Sequence, residues 1–167
     1  MRVRLISAEE ILLVGLNARS SISNNKTKEL WSTFKPRLNE IKDRWGIEYY
    51  SVEVYDNLDY FQTFNPTKSF EKWATVRVSK GVSIPENMKP LTIPSGDYAV
   101  FDYKGKPSEA FKTYQYIYGE WINNSGYSLD NRPHFALMGE KYLGENDASE
   151  EELWIPIKKL PIRLSGN

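Results

Sequence analysis

The sequence predicts an α+β fold made of two pseudo-symmetric strand-helix-strand-strand modules with antiparallel sheets. Three observations carry that prediction. Two stretches, residues 30–45 and 110–122, repeat large apolar residues at three- and four-residue intervals, the spacing of one helix face. Other runs, such as residues 48–55 and 70–78, alternate with period two, the spacing of a strand. The two kinds of segment follow one another in the same order twice, an internal duplication legible in the elements and not in matching residues.

The first strand comprises residues 3–6 and 11–16, interrupted around Ala8-Glu-Glu10 and closed by the polar run at 20–25. A helix follows from Thr27, a candidate N-cap. Leu30, Trp31, Phe34, Leu38, Ile41 and Trp45 form its buried stripe, and Gly46 supplies its stop. Pro36 lies inside that pattern and removes a backbone donor, so a kink or an opened turn is expected there. In the strand at 48–55, Tyr50, Val52 and Val54 share one face and Tyr49, Ser51, Glu53 and Tyr55 the other. The loop at 56–69 is polar but carries Tyr60, Phe61 and Phe64. The strand at 70–78 sets Ala74, Val76 and Val78 on a core-like face and Trp73, Thr75 and Arg77 opposite. A Pro-punctuated connector occupies 81–94.

The second module begins with Tyr98-Ala-Val-Phe-Asp-Tyr103, rich in aromatic and β-branched residues and broken by Lys104-Gly-Lys-Pro107. Ser108 is a candidate N-cap with Glu109 in the first turn of the next helix. Ala110, Phe111, Tyr114, Ile117, Tyr118, Trp121 and Ile122 form its stripe, and Asn123-Asn-Ser-Gly126 stops it. The last strands are residues 134–142 and 152–157, separated by an acidic loop. The expected organisation is one domain over 1–167, with modules at about 1–80 and 90–160.

Lys plus Arg and Asp plus Glu are equal at 22 each, so no net field draws the chain to nucleic acid or to an anionic membrane. With no cysteine, disulfides, thiol nucleophiles and cysteine-ligated zinc are excluded. A catalytic triad or a multi-histidine metal centre would rest on His134 alone, which reads as a half-exposed histidine on an edge strand; no metal and no cofactor are expected. The N-terminal run carries charges within a short apolar stretch and is not a signal peptide. No run approaches the roughly 20 apolar residues of a membrane span, and the chain reads as cytoplasmic.

Several pieces in this order resemble the GyrI-like small-molecule-binding family, the effector-binding half of many AraC-type and MerR-type regulators. They are Ile93-Pro-Ser-Gly-Asp-Tyr-Ala-Val-Phe101 with Gly105, Ile117-Tyr118 and Trp121-Ile122 ahead of Ser125-Gly-Tyr127, Pro133-His-Phe135, and Glu152-Leu-Trp-Ile-Pro-Ile157. The resemblance covers most of the second half and the first half loosely. It implies joined sheets, a ligand cleft between the halves, and lipophilic, often cationic ligands held by aromatic walls and an acidic group. It also implies two alternatives, since some free-standing members hydrolyse electrophilic natural products and others bind proteins such as DNA gyrase. No helix-turn-helix is expected ahead of the first strand. The family places a Glu directly after the aromatic residue that matches Phe135, where this chain has Ala136.

Alternation sends Phe135 and Leu137 toward the helices, and Ala136 and Met138 toward the cleft. It likewise sends Leu153, Ile155 and Ile157 to the core and Glu152 and Trp154 to the cleft. Tyr49, Tyr55, Trp73 and Trp154 then form an aromatic binding wall, and Phe101 and Tyr103 are further ligand-binding candidates. The alternative is that these rings pack only against the connectors. Glu53 and Glu152 are the carboxylates that could stand in for the family Glu, or Glu53 pairs with Arg77 and Glu152 continues an exposed acidic run. For hydrolysis, Glu53 or Glu152 would activate water while Tyr103, Tyr49 or Tyr55 donates to the leaving group. The expected function is binding of a lipophilic, cationic or neutral small molecule by a stand-alone sensor or sequestering protein. The alternatives are a hydrolase and a protein-interaction module.

Overall fold

The computed structural model describes residues 1–161 of the 167, so the last six residues of the expected domain lie outside the described part. Nine strands form one antiparallel sheet: β1 (Val3–Ala8), β2 (Ile11–Ser20), β3 (Arg44–Val54), β4 (Phe70–Val78), β5 (Lys89–Ile93), β6 (Gly96–Lys104), β7 (Tyr127–Leu129), β8 (His134–Met138) and β9 (Glu150–Lys159). Their order is β5-β2-β4-β3-β8-β9-β6-β1, with β7 on β9. Helix α1 spans Thr27–Phe34. Helix α2 runs through Phe111–Tyr116, a π turn at Ile117–Trp121 and a last turn at Ile122–Asn124.

The duplicated unit is visible as β2-α1-β3-β4 and β6-α2-β8-β9. Each half orders its strands the same way, β2-β4-β3 against β6-β9-β8, and the halves join where β3 pairs with β8. The predicted first strand is in fact two strands with different partners. β2 pairs with β4 and β5 in its own half, whereas β1 crosses to pair with β6 in the other. β5, which lay inside the expected connector, makes the reciprocal crossing onto β2. Period-two patterning failed there because β5 is short and Pro90 interrupts its sequence pattern.

The first helix is shorter than its stripe. Beyond Phe34 the chain tightens into a 3₁₀ segment, Lys35–Glu40, whose start Pro36 occupies, because a proline cannot donate to an α-helical ladder. Leu38 and Ile41 still pack inward, but Trp45 is already in β3, 56% exposed, with the Arg77 guanidinium 4.5 Å from its ring centroid. Gly46 therefore caps no helix. It supplies a positive φ of 74° within the register shift of β3 against β4 between Arg44 and Tyr49. Thr27 is the first helical residue and not the cap, and Ser108 lies in a 3₁₀ turn, Pro107–Glu109, where the Glu145 carboxylate accepts from its N–H and hydroxyl.

Three apolar clusters hold the sheet. α1 closes Leu30 and Phe34 over Val14, Ala74 and Val76. α2 closes Ile117 and Ile122 over Ala99, Phe101, Leu153 and Ile155. On the helix-free face the sheet curls on itself, bringing Ile6, Ile11, Ile93, Tyr98, Val100 and Phe135 into one cluster. No helix among the described residues is long and apolar enough to cross a membrane.

Candidate functional site

The central seam between β3 and β8 is where neither helix covers the sheet completely, and a cleft of 740 Å³ opens there on the helix-bearing face. Register sets its floor. Glu53 lies opposite His134, and Ser51 opposite Ala136, so the odd-numbered residues of β3 and the even-numbered ones of β8 share that face. Glu53, Tyr55 and His134 form the floor, and Tyr114, Tyr118 and Phe111 of α2 one wall.

The other wall comes from the β3–β4 connection. Asn57 caps a 3₁₀ turn, Leu58–Phe61, by accepting from the Asp59 N–H. The turn folds Tyr60 and Phe61 back onto Tyr55, with centroids 4.5 and 4.7 Å away. Phe61 stacks on His134 at 5.2 Å and 18° and lies 4.7 Å from Tyr118, so one ring bridges the two halves. At the mouth, Ile22, Phe64 and Phe111 remain exposed, three large apolar side chains rimming one opening.

Electrostatics inside the cleft follow from burial. His134 is buried in an interior strand, not half-exposed on an edge. Desolvation, aided by Arg132, lowers its pKa to about 3, so the ring is neutral and its Nδ1 shares a 2.7 Å hydrogen bond with the Tyr118 hydroxyl. Desolvation likewise holds the Tyr55, Tyr114 and Tyr118 phenols well above their usual range, as neutral donors. The Glu53 carboxylate accepts from Lys72 Nζ at 2.6 Å, and that ammonium is nearly buried, so the predicted partner Arg77 is replaced by Lys72. Glu151 shares the helix-bearing face of β9 with Leu153. Desolvation raises its pKa to about 7, with Lys72 opposing and Glu53 and Glu145 adding to the rise. Formally, Lys72 cancels Glu53, and Glu151 is left near its midpoint at neutral pH.

The sequence-predicted residues divide. Glu53 and Tyr55 line the cleft, and Trp154 borders it. Tyr49 does not: it sits among Trp31, Lys35 and Arg44, under α1. Trp73 pairs with Val52 and lies in the helix-free cluster, on the face opposite Tyr49 and Glu53, so the wall expected from both strands combined two faces. Phe101 is core beneath Trp121, and the Tyr103 hydroxyl donates to the Lys106 carbonyl at 2.6 Å. Ala136 packs in the α2 cluster, and Met138 is buried beyond the cleft lining. Glu152 points to the helix-free face, where its carboxylate accepts from Arg4 and from Trp154 Nε1. Phe135 also lies on that face, opposite Val52 and stacked on Trp154, and not toward the helices.

Tyr60, Phe61, Phe64, Phe70, Tyr114 and Tyr118 line the cleft and were not among the expected ligand contacts. The available signal was the concentration of aromatics in a polar loop, whose side chains have no reason to be aromatic unless they cover something.

The sequence profile of the GyrI-like small molecule binding domain matches residues 1–158. The transcriptional regulator BrlR of Pseudomonas aeruginosa is 27% identical over 158 residues, 94% of this chain and 56% of the regulator, so this chain spans about half the length of that relative. Among solved structures, SAV2435 bound to tetraphenylphosphonium superposes with a TM-score of 0.62 at 14% identity, over 95% of this chain and 94% of that one. The EcmrR C-terminal domain superposes with a TM-score of 0.68 at 16% identity, over 95% and 98% respectively. At these identities the likeness shows a common fold.

Proposed function

We propose that this chain, which belongs to the GyrI-like small-molecule-binding family, takes a lipophilic, cationic small molecule into the cleft over the β3–β8 seam and acts in the cytoplasm as a sensor or sequestering protein. The observation that carries this reading is the aromatic lining of the cleft, Tyr55, Tyr60, Phe61, Phe70 and Tyr118, around a floor where the Glu53 carboxylate is paired with Lys72. Each ring covered by a ligand contributes about 1.5–3 kcal/mol through apolar area, and a cation over a ring face about 0.5–2 kcal/mol more. The phenols and the imidazole of the lining are neutral, and the Lys72 ammonium is held by Glu53, so no unpaired positive charge of these groups faces a cation. That tetraphenylphosphonium is bound by SAV2435 supports the same ligand class.

The test is calorimetric titration with a tetraaryl phosphonium cation and its neutral tetraaryl silane analogue. The cation should bind in the micromolar range and more tightly than the silane, and Phe61→Ala should weaken it at least tenfold. Equal affinity for the two compounds would remove the cationic part of the proposal, and no binding of either would remove the cleft as the site.

A further inference from the structure

A second cavity lies on the other side of the sheet. Where the helix-free face curls on itself, the ends of the sheet approach each other around a space of 420 Å³, the volume of a small-ligand pocket. Its apolar lining is contributed by Ile6 and Ala8 of β1, Ile11 of β2, Phe135 and Leu137 of β8 and Trp154 of β9. Phe135 and Trp154 stack on each other at 5.1 Å and 19°, and both border this space as an aromatic side of its lining.

Two charges of opposite sign border this apolar space. Arg77 enters from β4, steadied by the Trp45 ring and lying beside Tyr50, whose hydroxyl it pulls down in pKa against the rise that burial imposes. Glu9 enters from the β1–β2 corner, where it is exposed. Among the described residues neither takes part in an ion pair, although both border the same cavity. An inorganic anion would satisfy Arg77 and leave the aromatic surface unused. A lipophilic cation would meet Arg77 unfavourably. A zwitterion with an apolar body meets every feature: its carboxylate on Arg77 and the Tyr50 hydroxyl in bidentate fashion, its ammonium toward Glu9, and its side chain on the Phe135–Trp154 stack.

We propose that this cavity is a second ligand site, specific for small apolar amino acids or equivalent zwitterions, separate from the cleft on the helix-bearing face. Phe135 and Trp154 border both spaces, whereas Arg77 and Glu9 belong to this cavity alone and Phe61 to the cleft alone, so variants at those three positions separate the two sites.

Three probes of one shape test it: L-phenylalanine, 3-phenylpropionate, which lacks the ammonium, and 2-phenylethylamine, which lacks the carboxylate. Binding is followed by NMR titration of wild type, Glu9→Gln, Arg77→Gln and the cleft variant Phe61→Ala. L-phenylalanine should bind at least tenfold more tightly than either analogue. Glu9→Gln, at an exposed position, should bring phenylalanine and phenylpropionate to equal affinity, and Arg77→Gln should do the same for phenylalanine and the amine. Phe61→Ala should change none of these values. Equal affinity of the three probes for wild type, no binding at millimolar ligand, indifference to Glu9→Gln, or loss of binding in Phe61→Ala would each overturn the proposal.

Discussion

The two halves of the molecule carry the same unit and use its helix differently. In the first half α1 is a cover. Phe34 is fully buried and Leu30 nearly so, and Trp31 fills the edge against Phe34 and Tyr49. In the second half α2 covers the sheet with Ile117, Trp121 and Ile122, while Tyr114 and Tyr118 on its flank turn toward the seam. The π turn at Ile117–Trp121 carries Tyr118 at the point where its hydroxyl meets His134. A duplicated unit can thus place stability in one copy and recognition in the other, the difference resting on which residues flank the inward stripe.

That division predicts opposite responses from the two halves. Phe34→Ala should cost about 3–5 kcal/mol of stability by leaving a cavity under α1, without changing ligand affinity in the molecules that stay folded. Denaturant unfolding combined with titration checks both, and a parallel loss of affinity would erase the division. Tyr118→Phe should cost about 1–3 kcal/mol, since it leaves a buried imidazole nitrogen without its partner. It should also weaken cleft binding, and a change in stability alone would assign Tyr118 to the core like Phe34.

The pH dependence of stability separates the halves less strongly. His134 has a folded pKa of about 3 against 6.5 unfolded, so it leaves stability unchanged above 6.5 and lowers it as pH falls from 6.5 toward 3, by at most about 1.4 kcal/mol per pH unit. His134→Gln should flatten that acid limb in urea unfolding curves. Glu151 works in the opposite sense. With its folded pKa raised to about 7 from 4.5, its contribution is complete below 4.5 and is lost as pH rises through 7. The smallest effect expected is a shallower decline between pH 4.5 and 7 in Glu151→Gln, and a decline unchanged from wild type would mean that Glu151 is solvated like an ordinary surface carboxylate.

Much of the fold was legible because it depends on local periodicity. The stripe at Ala110, Ile117 and Ile122 and the alternation of Val52 and Tyr50 are each set by the geometry of a single element, and each element formed where its pattern lay. Pro36 carried its own consequence for the same reason. The site was less legible. Tyr55 and Glu53 could be placed on one face of β3 from alternation, but alternation within β4 does not reveal which of its faces joins that one. Trp73 was grouped with Glu53 for that reason, although Val52 is its partner and Lys72 is the neighbour of Glu53.

By itself, then, the sequence determined the alphabet of elements, their duplication, the lack of net charge and of thiol chemistry, and the likeness to a ligand-binding family. Tertiary structure alone decided which aromatic rings converge, because convergence depends on interstrand register, on the crossing of β1 and β5 between halves, and on a capped turn that folds Phe61 onto His134. These are relations between residues far apart in the chain, and no periodicity within one segment contains them.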